Sequence, residues 1–270
     1  MNRLISTNLN DVSPDRLPPA ERGDRVRMLF MNCNILGFKT VAQQIKTYTD
    51  KHPKVDAVHI DLKGPLWLKV LGKSLPIRRG WDMHQVRYLY LWGWLMNRWF
   101  CGPLPLERFD VVHIMSQVFA WSIMKQPRDP STQFVVHIDS TAASEVKEYG
   151  SSPLARRPFE RAEHRMFERA DLVVAESQWC RRSLQEDYDL PADRLHVARN
   201  SLELPEQFRW SPQRVAETSN PVKIAFVGNQ WWRKGGDLVL AAHQRHLADQ
   251  AELHVFGARA KKDQSAKNVV

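Results

Sequence analysis

The chain has 270 residues, 43% of them hydrophobic and 26% charged, with a net charge of +9. This is enough apolar sequence for one full core and part of another, and it excludes collagen-like, low-complexity and generally disordered chains. The excess of cations leaves two readings open: simple solubility, or attraction to anions such as nucleotide diphosphates, lipid headgroups or nucleic acid. Residues 1–24 are polar, carry Pro14, Pro18 and Pro19, and read as a flexible tail. They lack the apolar run of a signal peptide, so secretion is not expected.

From residue 25 the pattern alternates between strand and helix. Val26 to Met31 is a short apolar run that opens into Asn32, Cys33 and Asn34, with Gly37 close behind. A helix follows with Val41, Ile45 and Tyr48 on one side, and Val55 to Leu62 is the next strand. Phe109 to Met115, Phe134 to Ile138, Leu172 to Ala175 and Leu195 to Ala198 are further strands. Continuous apolar runs of this kind suit strands buried on both faces of a parallel sheet. Phe159, Ala162, Met166, Phe167 and Ala170 form a helical stripe between two of them. The alternation predicts right-handed crossovers and a Rossmann-like domain over 25–204. Ligands of such sheets bind beyond the carboxyl ends of the strands, here Cys33–Gly37, Ser116–Gln117, Asp139–Thr141 and Ser177.

Residues 205–221 are polar and proline-bearing and read as an interdomain linker. A fresh unit begins at 222, with a strand Val222–Val227, a loop to Gly236, a helix Asp237–Leu247 and a strand Leu253–Phe256. The stretch 222–270 is about half of what a Rossmann-like domain of about 100 residues needs, so a partial second domain is expected.

The loop Gly228-Asn229-Gln230-Trp231-Trp232-Arg233-Lys234-Gly235-Gly236 lies between a strand and a helix. Glycines let a backbone approach a phosphate, the helix start offers N–H groups, and Arg233 and Lys234 add charge. The spacing is neither a Walker loop nor GxGxxG, and a glycine turn with two solvated cations fits equally well. Three cysteines without metal-ligand spacing point to reduced thiols in a reducing compartment. His243 and His246 are three apart on a helix with no third ligand, and read as surface residues. His137, two residues before Asp139 on one strand face, reads as a satisfied core histidine.

Two segments together resemble a known family. "RADLVVAESQWCRRSLQEDYDLPADRLHVARNSLEL" and "FVGNQWWRKGGDLVLAA" are similar to the family 4 retaining glycosyltransferases, as is "FDVVHIMS". The resemblance runs from Arg25 to the end and is weakest between Leu62 and Gly102. It implies the α/β GT-B fold: a complete N-terminal Rossmann-like domain with a parallel sheet, then the first β-α-β unit of a second. It implies transfer of a sugar, with retention, from a nucleoside-diphosphate sugar held between the domains to a polysaccharide, lipid-linked or other glycan. No cofactor and no metal are expected. Lys234 matches the lysine that contacts the donor diphosphate, and Arg233 stands in for an arginine the family often has where this chain has Asn229. Gly37 matches the first-domain loop that approaches the phosphates. Gly228, Gly235 and Gly236 belong to the second-domain loop, and Ser116 to the acceptor side.

Asp139 takes the place of the family's usual histidine. It either hydrogen-bonds a sugar hydroxyl or caps the following helix. The family's downstream pair of glutamates has no counterpart before Val270, so the chain as given is expected to transfer little or no sugar.

The segment 63–100 is rich in Trp, Lys and Arg. It suits peripheral contact with the inner face of a membrane, or else a buried helix with a few exposed cations. Apolar residues run nearly all round from Val86 to Phe100, which favours burial. No run of about 18 uncharged apolar residues exists, so no spanning segment is expected and the location reads as cytoplasmic. A rival reading is a basic, non-catalytic nucleotide-, membrane- or nucleic-acid-binding protein, although no nucleic-acid partner is expected.

Overall fold

The computed structural model describes residues 4–5, 24–33, 37–62, 66–71, 84–100, 106–122, 130–200, 221–228, 231 and 234–257. The chain divides into two compact units, Met1–Leu202 and Glu203–Val270.

The first unit is a parallel sheet with helices. Its strands are β1 (Leu4–Ile5), β2 (Val26–Cys33), β3 (Val55–Leu62), β4 (Val111–Met115), β5 (Gln133–Ile138), β6 (Leu172–Ala175) and β7 (Leu195–Val197). The spatial order is β1-β3-β2-β4-β5-β6-β7, every pair parallel. The chain therefore winds outward one way to β3, then crosses back over β2 to β4. The strand ends at that reversal form the crevice where doubly wound sheets bind ligands. The connecting helices are α1 (Gly37–Lys51), α2 (Leu66–Leu71), α3 (His84–Phe100), α4 (Gln117–Ala120), α5 (Ala142–Tyr149), α6 (Pro153–Arg169) and α7 (Gln178–Tyr188).

The apolar runs are buried because both faces of the sheet are covered. Leu29, Met31, Val112, Ile114, Val136, Ile138, Val173 and Ala175 have essentially no exposed surface. Of the helical stripe, Met166, Phe167 and Ala170 join the core of the sheet, while Phe159 and Ala162 pack in a second cluster with Val86, Leu89, Trp121 and Ala142.

Two aspartates at strand starts align the sheet. The Asp110 carboxylate accepts a bond from the Arg27 amide at 2.8 Å, and Asp171 accepts one from the Phe134 amide at 2.8 Å. Each ties the entry of one strand to its neighbour. Arg194 then closes the end of α6, donating to the carbonyls of Phe167 (2.6 Å), Glu168 (3.1 Å) and Ala170. A guanidinium there satisfies carbonyls left free at a helix C-terminus and complements its negative dipole end.

Two expectations need revision here. The tail 1–24 was expected to be without regular structure, but Leu4 and Ile5 pair with His59 and Ile60 on the edge of β3. Two residues with high strand preference suffice to extend an edge, and the signal is too short to read. The helix α3 is not buried all round. Val86, Leu89, Trp92 and Met96 face the core, while Tyr90, Trp94 and Arg98 face solvent.

The second unit has strands β8 (Val222–Val227) and β9 (Ala251–Phe256), paired in parallel, with α8 (Gly236–Ala242) between them. The helix runs on into a π-helical turn, His243–Leu247. Phe226, Leu240 and Leu253 form its small core. His243, expected at the surface, is buried there, with Nε2 2.9 Å from the Ala251 carbonyl. Gly236, Leu240 and His243 recur at i, i+4 and i+7, so ordinary helical spacing puts that ring on the buried face of the helix. The linker 205–221 lies outside the described residues except for Pro221.

Candidate functional site

The expected strand-end residues of the first unit form a connected group. Gly37 is the first residue of α1. Ser116 follows β4 with φ 76°, in the left-handed region that non-glycine residues seldom enter. Its amide donates to the His137 carbonyl at 2.8 Å, and its hydroxyl accepts from Val118 at the start of α4. Ser177 likewise caps α7, accepting from the Cys180 amide at 3.1 Å, which gives it a structural role.

Asp139 follows β5, and the question of whether it caps α5 is answered by its neighbour. Thr141 is the cap, in a reciprocal box with Ser144, so the Asp139 carboxylate is not used for that purpose. Asp139 is exposed to solvent. Protein packed around its carboxyl, then the charge of Glu176, raise its pKa above the ordinary aspartate value, a rise that its contact with water tempers. Glu176 sits one strand over at the end of β6 and accepts a bond from Asn200 at 2.7 Å.

Behind this group lies a network that the sequence reading missed. Glu163 of α6 is fully buried. Its carboxylate accepts from Gln117 at 3.0 Å, from the Ala142 amide at 2.9 Å and from the Tyr188 hydroxyl. Gln117 also donates to the Ser140 carbonyl. One carboxyl thus joins α4, α5, α6 and α7, and fixes both turns that carry Ser116 and Asp139. Burial pushes the Glu163 pKa up to about 8, against the pull of its three donors. The readable signal was a glutamate one residue beyond Ala162, four after Phe159 and three before Met166, inside the apolar stripe.

His137 is buried, as a core histidine should be, but it is not satisfied. Neither ring nitrogen has a hydrogen-bond partner among the described residues, and Nε2 lies 3.5 Å from Glu176 Oε1 without proper geometry. It packs edge-on against Phe38 and His113. Burial first, then His137 and His59, lower the His113 pKa to about 3, so that ring is neutral. These histidines border a cavity of about 680 Å³ between α1 and the sheet, lined also by Phe30, Val174, His196 and Asn200.

In the second unit, Gly228 ends β8 and Gly235 caps α8 with φ 72°. Lys234 is exposed, and its aliphatic stem crosses Gly228 so closely that a Cβ there would lie 3.2 Å from Lys234 Cγ. Gly236 lies under the Trp231 ring, which a Cβ would meet at 2.3 Å. Three of the four expected loop residues with glycine or lysine identity are therefore set by close contacts or by a left-handed backbone, and Lys234 is held at the mouth of the turn. Arg233 lies outside the described residues. Among the described residues no group of three or more His, Cys, Asp or Glu could hold a metal ion.

A parallel sheet of this order defines a doubly wound, Rossmann-like α/β unit, and the solved structures similar to the chain share the GT-B-type fold. The family profile described as "Glycosyl transferase 4-like domain" matches residues 20–201, and the chain belongs to that family. No curated protein matches the sequence. Among solved structures, the chain is similar to sucrose-phosphate synthase from Thermosynechococcus elongatus, with 12% identity and a TM-score of 0.55 over 86% of this chain and 62% of that one. It is similar to HepE from Anabaena, solved in complex with UDP and glucose, with 13% identity and a TM-score of 0.50 over 89% of this chain and 63% of that one. The glycotransferase of kitacinnamycin gives 11% identity and a TM-score of 0.51 over 91% of this chain and 70% of that one. The chain thus spans 62% and 63% of the first two structures.

Proposed function

We propose that this chain supplies the acceptor side and part of the donor side of an enzyme that moves a sugar from a nucleoside-diphosphate sugar to a glycan acceptor, polysaccharide or lipid-linked, with retention. The observation that carries this reading is the family match across 20–201. The Lys234 turn adds the chemistry: an ammonium beside a left-handed glycine at a helix start suits a diphosphate.

In the reaction, the bond from the anomeric carbon to the diphosphate oxygen breaks, and its electron pair leaves with the diphosphate. The acceptor oxygen forms the new bond and gives up its proton. Lys234, with Arg233, stabilises the charge growing on the leaving group, which is electrostatic catalysis. Asp139 holds a sugar hydroxyl. Gly37 and Ser116 shape the loops that approach the substrates, and no cofactor or metal takes part. Peripheral contact with a membrane through 63–100 would bring a lipid-linked acceptor within reach.

Calorimetric titration of UDP, GDP and ADP into the full chain is expected to select one nucleotide. Lys234→Ala should weaken that binding about tenfold or more, as loss of a charged hydrogen bond does. Unchanged affinity would remove Lys234 from the site. Proton NMR of the anomeric linkage in any product tests retention.

A further inference from the structure

We propose that Tyr149 and Trp179 form the stacking wall of an acceptor subsite for one neutral sugar ring, with Asp139 and Glu176 holding its hydroxyls. It rests on the glycosyl-transfer reading for calling that sugar the acceptor, though not for its geometry. Tyr149 is the last residue of α5 and is 52% exposed. Trp179 stands in the first turn of α7, half-buried and packed on the core of the sheet. The two ring centroids are 6.3 Å apart and the planes tilt by 57°, so the pair forms an open V. Ser177 caps α7 just after β6, so Trp179 lies at the strand-end pole with the turns described above. Its neighbour Cys180 is near enough to feel both carboxyls: burial first, then the charges of Asp139, Glu163 and Glu176, raise that thiol's pKa.

The carboxylates decide what the aromatic pair receives. Asp139 and Glu176 follow the adjacent strands β5 and β6 at one register, each a residue past the pair Ile138 and Ala175. Packing around Asp139, then the Glu176 charge, raise its pKa, as two carboxyls in each other's field require. Among the described residues neither forms an ion pair with Lys or Arg. Two such acceptors repel a phosphate, a nucleotide or an anionic bilayer, and favour a ligand that brings hydroxyl donors without negative charge. A pyranose does this: its C–H faces pack on aromatic planes while its hydroxyls reach the polar groups beside them. Glu176 Oε2 takes the Asn200 amide at 2.7 Å, but Oε1 has no hydrogen-bond donor, and buried His137, 3.5 Å behind it, supplies none. The carboxylate therefore keeps acceptor capacity that no protein group among the described residues fills.

Ligand-observed proton NMR of the full chain, without nucleotide, tests this with maltotriose, cellotriose and chitotriose. At least one should bind, and the acidic trisaccharide of galacturonic acid should bind about tenfold more weakly than that one. Tyr149→Ala should weaken the neutral sugar about three- to tenfold at an unchanged melting temperature, the worth of one aromatic contact. Trp179→Phe, which keeps a ring, should lose less than Trp179→Ala. Asp139→Asn combined with Glu176→Gln should abolish the discrimination against the acidic sugar, a change that a purely structural role would not produce. The proposal is overturned if the parent binds none of the three, if Tyr149→Ala binds as the parent does, or if the acidic trisaccharide binds as tightly as the neutral one. Nucleotide titration is read separately. A chain that binds these glycans but no nucleotide keeps this subsite and loses the transfer reading, and one that binds nucleotide alone does the reverse.

Discussion

The two strand-end regions that the sequence singles out are held in opposite ways. In the first unit, Ser116 and Asp139 sit on turns tied to a fully buried carboxyl, backed by strands whose side chains are covered on both faces. In the second, Lys234 stands on an exposed turn above two parallel strands, and Val222, Val227 and Phe256 remain exposed, Val227 at 74%. Parallel strands normally need both faces covered, and two strands alone are marginal. The first region is positioned by its own core. The second, among the described residues, has a well-formed local turn on two strands.

The largest test of that contrast is stability. Phe167 is fully buried and packs edge-on against Tyr188. Phe167→Ala should cost about 3–5 kcal/mol in denaturant unfolding of the first unit. Val227→Ala in the second should cost within about 0.5 kcal/mol, as exposed positions do. Similar costs at both positions would break the comparison.

A smaller effect sharpens it through pH. The Glu163 pKa is raised from 4.5 to about 8, so the folded state holds a proton that the unfolded chain releases. Its contribution is fully present below pH 4.5 and is lost as pH rises to about 8. Glu163→Gln should remove that slope from the unfolding free energy and cost about 1–3 kcal/mol through a mismatched donor. An unchanged slope would mean the carboxyl is ionised in the fold. The smallest effect concerns local opening. Amides of β8 and β9 should exchange with solvent well before those of β4, β5 and β6, and simultaneous exchange would show one cooperative unit.

Much of the sheet was legible because buried parallel strands are written as unbroken β-branched runs. Val55–Leu62, Leu172–Ala175 and Val222–Val227 read directly at their observed limits. The stripe of α6 was equally plain. The site was only partly so. A strand end and a following cap can be located from local residue types, but which of Asp139 and Thr141 caps the helix is decided by the reciprocal bonds of Thr141 and Ser144. Glu163 meets Gln117 across 46 residues and Tyr188 across 25, and no local pattern encodes such partners. His243, by contrast, was legible, since it stands three residues after buried Leu240 and seven after buried Gly236 on one helical face.

The two carboxylates that stitch β2 to β4 and β5 to β6 lie at the end of the sheet opposite the turns that carry Ser116 and Asp139. Slipping either strand by one residue would forfeit that stitch and exchange the side chains that pack on its two faces. Alignment is thus decided at one pole of the domain, and the turns that follow the strands lie at the other. Loops at that second pole can lengthen, shorten or exchange residues without disturbing how the strands line up, so one scaffold can host many recognition problems.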